Sequence, residues 1–265
     1  MNPDRFDITA ADGTPIAVWV AGRGPAIVMV HGSIADHTTF DSFVAVLGQH
    51  FTTYAMDRRG FGATPDVDRY TIDVDFADVT AVVDAVAART GGPVVLWGHS
   101  YGANCAIGGG ALSANVSHLV VYEPSLGLPY PPGSIERIEA ALADGDRDAA
   151  IVAVLVDILE MTADDVDTLR ADPLWPTRLA AAPTIPRECR VEQGWRFRPG
   201  QFDTITAPTL MFTGSDSVDD IVDATRRAAA AIPGARIQIL DGHGHFAHKT
   251  DPTMVTAAIR DFVAS

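Results

Sequence analysis

The chain has 265 residues, of which 47% are hydrophobic, 20% charged and 8% aromatic. Those proportions exclude a disordered or fibrous chain and allow one elaborated domain with a large core. Thirty-four acidic residues against nineteen basic ones, Lys249 being the one lysine, give a formal net charge of −15. A surface of that sign repels phosphate backbones and anionic lipid headgroups, so neither nucleic acid nor a membrane is an expected partner.

The longest apolar run, Ala149 to Val156, is far short of the roughly 18 to 20 residues that cross a bilayer. Residues 1–24 show no basic start followed by an apolar stretch, so no targeting segment is read there. Cys105 and Cys189 are too few for a disulfide framework or a zinc cage and lack CxxC spacing. Buried thiols in a reducing cytoplasm are the expectation.

In chain order, residues 6–10 and 15–20 read as strands around the turn Asp12-Gly13, and residues 26–30 as a buried strand. Helical and strand patterns then alternate: helix 39–48, strand 52–57, helix 73–89, strand 93–98, helix 102–112 and strand 117–122. Such alternation predicts an α/β fold, a mostly parallel sheet covered by helices on both faces and edged by an antiparallel hairpin. Strand signals stop over residues 124–207, where short helical stretches are separated by seven prolines among residues 129–186. This stretch is predicted to be an inserted helical cap. Within it, Thr162 and Asp165 have N-cap spacing, and residues 149–159 are apolar on nearly all sides. The alternation resumes with strand 208–213, helix 218–231, strand 235–240 and helix 252–263. The expected domains are therefore a core of residues 1–123 and 208–265 and a cap of 124–207.

Residues 98–102, Gly-His-Ser-Tyr-Gly, form a G-x-S-x-G between a predicted strand and an Ala-rich helix. A serine held at so tight a turn needs glycine on both sides, and its hydroxyl then stands above the sheet. The motif alone is only moderately specific; the strand-turn-helix context supplies the rest. A serine hydroxyl is a weak nucleophile unless a base removes its proton and an acid orients that base. Asp216 and His245 each follow a predicted strand, at the carboxyl edge where open α/β sheets bind ligands.

With these residues go His31-Gly32 after the third strand, Asp57-Arg58-Arg59-Gly60-Phe61-Gly62 after the fourth, Gly214 to Asp216 and Gly244-His245. Five motifs in this order resemble the α/β-hydrolase family over about residues 6–123 and 208–265. The resemblance implies Ser100 as nucleophile, His245 as base and Asp216 as orienting acid. It also implies an oxyanion hole from the backbone N–H groups of Tyr101 and Ser33, with Ile34 as the alternative second donor and a candidate substrate contact. Glu123, at the end of the strand leading into the cap, is the alternative acid, since some family members carry theirs there; Asp216 is favoured.

His243, His245 and His248 invite a metal reading, but no carboxylate or cysteine stands at a supporting spacing, so no metal and no cofactor is expected. His31 and His99 are expected to brace the loops around the oxyanion site and elbow, and His37, His50 and His118 to lie in loops or at the surface. Arg58 and Arg59 read as a loop-forming element, with binding of a substrate carboxylate as the alternative. Tyr130, Trp175, Trp195, Phe197 and Phe202 are candidate walls of a mainly apolar pocket, although packing is the commoner role for aromatics in a helical insertion. A serine hydrolase acting on a small-molecule ester, thioester or lactone is the leading reading. A ligand-binding or regulatory protein on the same fold, or a cofactor-free lyase or carbon-carbon bond hydrolase, is the alternative.

Overall fold

The structure, a computed structural model, describes residues 4–196, 198 and 200–265. Among the described residues the strands are β1 (Asp4–Thr9), β2 (Pro15–Gly22), β3 (Ala26–Val30), β4 (Thr52–Met56), β5 (Val94–His99), β6 (Val116–Tyr122), β7 (Thr209–Gly214) and β8 (Arg236–Leu240). They form one sheet in the order β1-β2-β4-β3-β5-β6-β7-β8. β2 runs antiparallel to β1 and β4, and every other neighbouring pair is parallel. The antiparallel edge starts at the predicted turn, where Asp12 Oδ1 accepts from the Thr14 amide and Gly13 takes a φ of 89°. All residues of β3, β5 and β7 are buried, as continuous apolar runs require of parallel strands covered on both faces.

The helices are α1 (Asp41–Leu47), α2 (Ile72–Thr90), α3 (Tyr101–Leu112), α4 (Ser134–Ala143), α5 (Arg147–Asp157), α6 (Ala163–Arg170), α7 (Trp175–Ala181), α8 (Ile185–Gly194), α9 (Asp219–Ala230), α10 (Ala247–Thr250) and α11 (Pro252–Val263). Strand side chains alternate between two cores. Val28, Val30 and Leu96 pack with Val79, Val83 and Ile107 of α2 and α3. Ile27, Met29, Val95 and Trp97 face Phe43 and Leu47 of α1 and Val255 and Ile259 of α11.

Helices α4 to α8 lie between β6 and β7 in the chain and form a third apolar cluster, including Ile138, Ile151, Leu155, Trp175 and Ile185. Ile34, Ile221 and Ala224 join that cluster from outside the five helices. The capping box of Thr162 and Asp165 is formed as the spacing predicts. Pro176 and Pro186 occupy the first turns of α7 and α8, where a missing N–H costs no helical hydrogen bond. Of residues 149–159, only Ala149 and Val156 are exposed, in line with the all-round apolar pattern. No described helix is long and apolar enough to cross a membrane.

Candidate active site

The chain leaves β5 at His99, turns through Ser100 and enters α3 at Tyr101. Ser100 has φ 56° and ψ −127°, a backbone conformation that costs a non-glycine residue of order 1–3 kcal/mol. A Cβ on Gly98 would fall 2.5 Å from the Gly102 carbonyl oxygen, and one on Gly102 would fall 2.3 Å from the carbonyls of Val30 and His31. The two flanking glycines are therefore steric requirements of the turn. Its backbone is tied down by the Ser100 amide donating to Tyr122 O at 2.9 Å.

His245 stands in the loop after β8, and its Nδ1 lies 2.5 Å from Oε2 of Glu123. Glu123 follows β6 directly and is fully buried, with φ 50°. Its other oxygen, Oε1, accepts from the Gly214 amide at 2.8 Å, Ser217 Oγ at 2.5 Å and Thr213 Oγ1 at 3.2 Å. Burial pushes the carboxyl pKa up. The hydrogen bond and charge of His245, with those from Ser217 and Gly214, outweigh burial and leave the carboxyl below its ordinary value. A charged carboxylate at Nδ1 holds the imidazole proton there and leaves Nε2 free to accept one. The loop itself is braced by His99, whose Nε2–H donates to His245 O at 2.8 Å, and by the Tyr122 hydroxyl on Gly244 O.

Asp216, expected to hold His245, does not do so. It is exposed, its Oδ1 accepts from Ser215 Oγ at 2.9 Å, and its amide donates to His243 O. Asp216 stands exposed in the loop after β7, whereas Glu123, the alternative acid, is buried at the end of β6, anchored through one oxygen by Thr213, Gly214 and Ser217 and turned with the other onto His245.

Of the expected oxyanion donors, Ser33 lines the same cavity as Ser100 and His245, and Tyr101 is the first residue of α3, directly after Ser100. Ile34 also lines this cavity, with φ 48°, which is strained for a β-branched residue. His31 supports the loop from behind. Its Nδ1–H donates to Gly32 O at 2.8 Å and its Nε2 accepts from the Arg58 amide at 3.1 Å, while burial, with the charge of Arg58, holds its pKa down at about 3.

Arg58 is wholly buried and donates to the carbonyls of His31 and Gly32, to Asp75 at 3.1 Å and to Glu188 of α8 at 2.6 Å. Arg59 is held by Asp78 and Asp12. Both guanidiniums are thus committed to the protein's own acceptors. The loop-forming reading holds, and the alternative of a substrate carboxylate on this pair is overturned.

The cavity above Ser100 is small, about 70 Å³. Its apolar walls include Leu128, Val154, Ile158, Leu159, Ile221 and Phe246, and its polar members include Ser125, Tyr130, Arg178 and Glu192. Of the proposed aromatic walls, Tyr130 is present. Trp175 is instead packed in the third cluster with Nε1 donating to Asp148, Trp195 sits edge-on to Phe76, and Phe202 is buried in the core beneath the α2 and α3 face. Phe197 lies outside the described residues. Arg178 and Glu192 carry no motif in the sequence, and only their place on short helices of the insertion brings them here. The three clustered histidines do not converge: His248 is buried against Phe43 and Trp97, His243 lies beside Thr250, and only His245 faces the cavity.

Residues 27–259 match the Alpha/beta hydrolase family, a span from β3 into α11, and the chain belongs to that family. An alpha/beta hydrolase from Sphaerobacter thermophilus DSM 20745 of known structure is 29% identical, with a TM-score of 0.84 over 97% of this chain and 99% of that one. The 2-(acetamidomethylene)succinate hydrolase of Mesorhizobium japonicum is 22% identical across 91% of this chain and 89% of its own length. The enol-lactonase from Burkholderia xenovorans LB400 shares the fold, with a TM-score of 0.76 at 20% identity over 98% of this chain and 100% of that one.

Proposed function

We propose that the protein is a serine hydrolase that cleaves an ester, thioester or lactone through an acyl-enzyme, with Ser100 as nucleophile, His245 as base and Glu123 as the acid that orients it. The observation carrying this reading is the 2.5 Å contact of buried Glu123 with His245 Nδ1, on a histidine that shares a cavity with Ser100 on its strained turn. His245 Nε2 takes the hydroxyl proton as Ser100 Oγ bonds to the substrate carbonyl carbon. The carbonyl oxygen becomes an oxyanion held by the backbone N–H groups of Tyr101 and of Ser33 or Ile34, donors fixed before the charge develops. His245 then gives its proton to the leaving oxygen or sulfur as that bond to carbon breaks. Water, deprotonated by the same histidine, releases the acyl group and restores Ser100.

The helical insertion, residues 124–207, acts in this reading as a cap whose apolar residues contact the hydrocarbon part of a small substrate. A carboxylate kept charged behind a histidine supports an enzyme over a receptor on the same fold, since ligand binding alone has no use for it. The test is labelling by a fluorophosphonate probe together with turnover of p-nitrophenyl esters of increasing chain length. The expected result is one covalent label on Ser100, with label and turnover both lost in Ser100→Ala. Turnover that survives Ser100→Ala would remove the serine mechanism.

A further inference from the structure

The cavity holds a charge that the proposed triad does not use. Arg178, on α7, is only 5% exposed and lines the same cavity as Ser100 and His245. The other deeply buried arginines are saturated: Arg58 by two carbonyls and two carboxylates, Arg59 by Asp78 and Asp12. Arg178 differs. Its Nε has no hydrogen-bond partner, and among the described residues its guanidinium forms no ion pair. Asp172 acts on it only through space, its Oδ1 being taken by the Leu174 amide. The cavity's own acid, Glu192, is no partner either, because its two oxygens receive the hydroxyls of Ser125 and Tyr130. Lys249, the chain's one lysine, feels the repulsion of Arg178 but also the attraction of Asp172 and Asp41, and it does not line the cavity, so Arg178 is the cation that the cavity presents.

A guanidinium stays charged in a protein, and a buried charge without a counter-ion is costly unless something else supplies the anion. The remaining walls here are largely apolar, so that anion has to arrive with the ligand. A lone guanidinium offers one planar fork, which matches a carboxylate; a phosphate group, with more oxygens and more charge, calls for further donors. We propose that Arg178 binds a carboxylate of the substrate, so that the hydrolase acts on small esters, thioesters or lactones whose apolar body ends in a carboxylate. The cleavage step rests on the serine-hydrolase reading above; the anion site rests on Arg178 alone.

The test compares monomethyl glutarate with its neutral isostere, in which an isopropyl group replaces the carboxylate, by following proton release. Binding of monomethyl glutarate, and separately of glutarate, to the Ser100→Ala protein is measured by calorimetry. Wild-type enzyme is expected to favour the acid ester by at least about tenfold in kcat/KM, mainly through KM. Arg178→Gln should abolish that preference, lowering kcat/KM for the acid ester by about a hundredfold and for the isostere by less than about threefold. Equal or better use of the isostere by wild type overturns the proposal, as does an equal loss on both esters in Arg178→Gln. Tighter binding of a phosphonate analogue than of glutarate overturns the carboxylate assignment. If wild type turns over neither ester, yet monomethyl glutarate binds Ser100→Ala and loses affinity on adding Arg178→Gln, the anion site stands and the hydrolase reading falls. If it neither binds nor is preferred while neutral esters are hydrolysed, the reverse holds. Should Arg178→Gln fail to fold, the wild-type ester pair and the calorimetry still decide.

Discussion

Glu123 and His245 are 122 positions apart in the chain, yet a carboxylate oxygen of one lies 2.5 Å from Nδ1 of the other. The contact is made because β6 and the loop after β8 end on the same edge of the sheet, and because Glu123 is held from its other oxygen by three donors of the β7 strand end and the loop that follows it. A carboxylate fixed from both sides can orient an imidazole without itself moving.

Glu123→Gln should therefore lower kcat by about a thousandfold or more, because an amide cannot stabilise the imidazolium or fix the tautomer. Asp216→Asn should change kcat by less than about threefold, since that side chain is an exposed loop residue. Steady-state kinetics of the two variants on one ester decide the matter, and the opposite ranking would return the acid to Asp216.

Ser100→Ala and His245→Ala should each cost at least about a thousandfold in kcat, and the double variant little more, because the pair acts as one proton-transfer unit. Additive losses in the double variant would mean that the two residues work separately.

Chelation should leave activity unchanged. His243 and His248 point to different neighbours from His245, so no described trio of these histidines can share an ion. Activity lost in EDTA and restored by zinc would contradict this.

The buried Glu192 carboxyl is pushed from its ordinary 4.5 up to about 7, chiefly by burial. The folded chain thus holds this proton more tightly than the unfolded chain, so the contribution is fully present below pH 4.5 and is lost as pH rises to about 7. Stability should fall by on the order of 3 kcal/mol across that window, and Glu192→Gln should flatten the fall. Glu123 acts oppositely and lower on the scale: its depressed carboxyl pKa gives stability that is lost only as pH falls below the ordinary range. Urea unfolding at a series of pH values measures both, and an unaltered slope in Glu192→Gln would refute the assignment.

The elbow was legible because its parts are neighbours in the chain: Gly98, Ser100 and Gly102 follow an apolar strand and precede an Ala-rich helix. The partner of His245 was harder, since Glu123 and Asp216 both follow strands at the same sheet edge, and the choice depends on which carboxylate is buried and turned to the imidazole, a property of the folded loops. The cap residues were harder still. Trp175 looks like a wall in one dimension, but its ring is buried in the third cluster beneath the Arg170 guanidinium with its Nε1 on Asp148 of α5, and Arg178, three residues on, reaches the cavity instead. Trp175 and Arg178, at i and i+3, share one face of α7, so helical periodicity cannot tell which of them reaches the cavity.

Trp175→Ala should accordingly cost about 3 kcal/mol or more of stability, as large-to-small core changes do, without altering the preference among acyl chain lengths. Val154→Phe, at a wall residue, should shorten the longest chain accepted. Thermal unfolding together with the ester panel distinguishes the two, and a changed chain preference in Trp175→Ala would restore it as a wall.

The ion pair of Arg58 with Glu188 joins the loop after β4 to α8, and the same guanidinium holds the carbonyls of His31 and Gly32. Lifting α8 away would part this buried pair, so such a conformer is expected to be rarer than the closed one. Substrate traffic through such a state would be slow. The half-buried stretch at Ile158 and Leu159, which lines the cavity without an ion pair and runs into the left-handed turn at Glu160, meets no such barrier. The insertion is thereby expected to swing like a door, hinged along α8 beside the oxyanion loop and opening at the far end of α5, so that the catalytic floor stays assembled while the entrance moves.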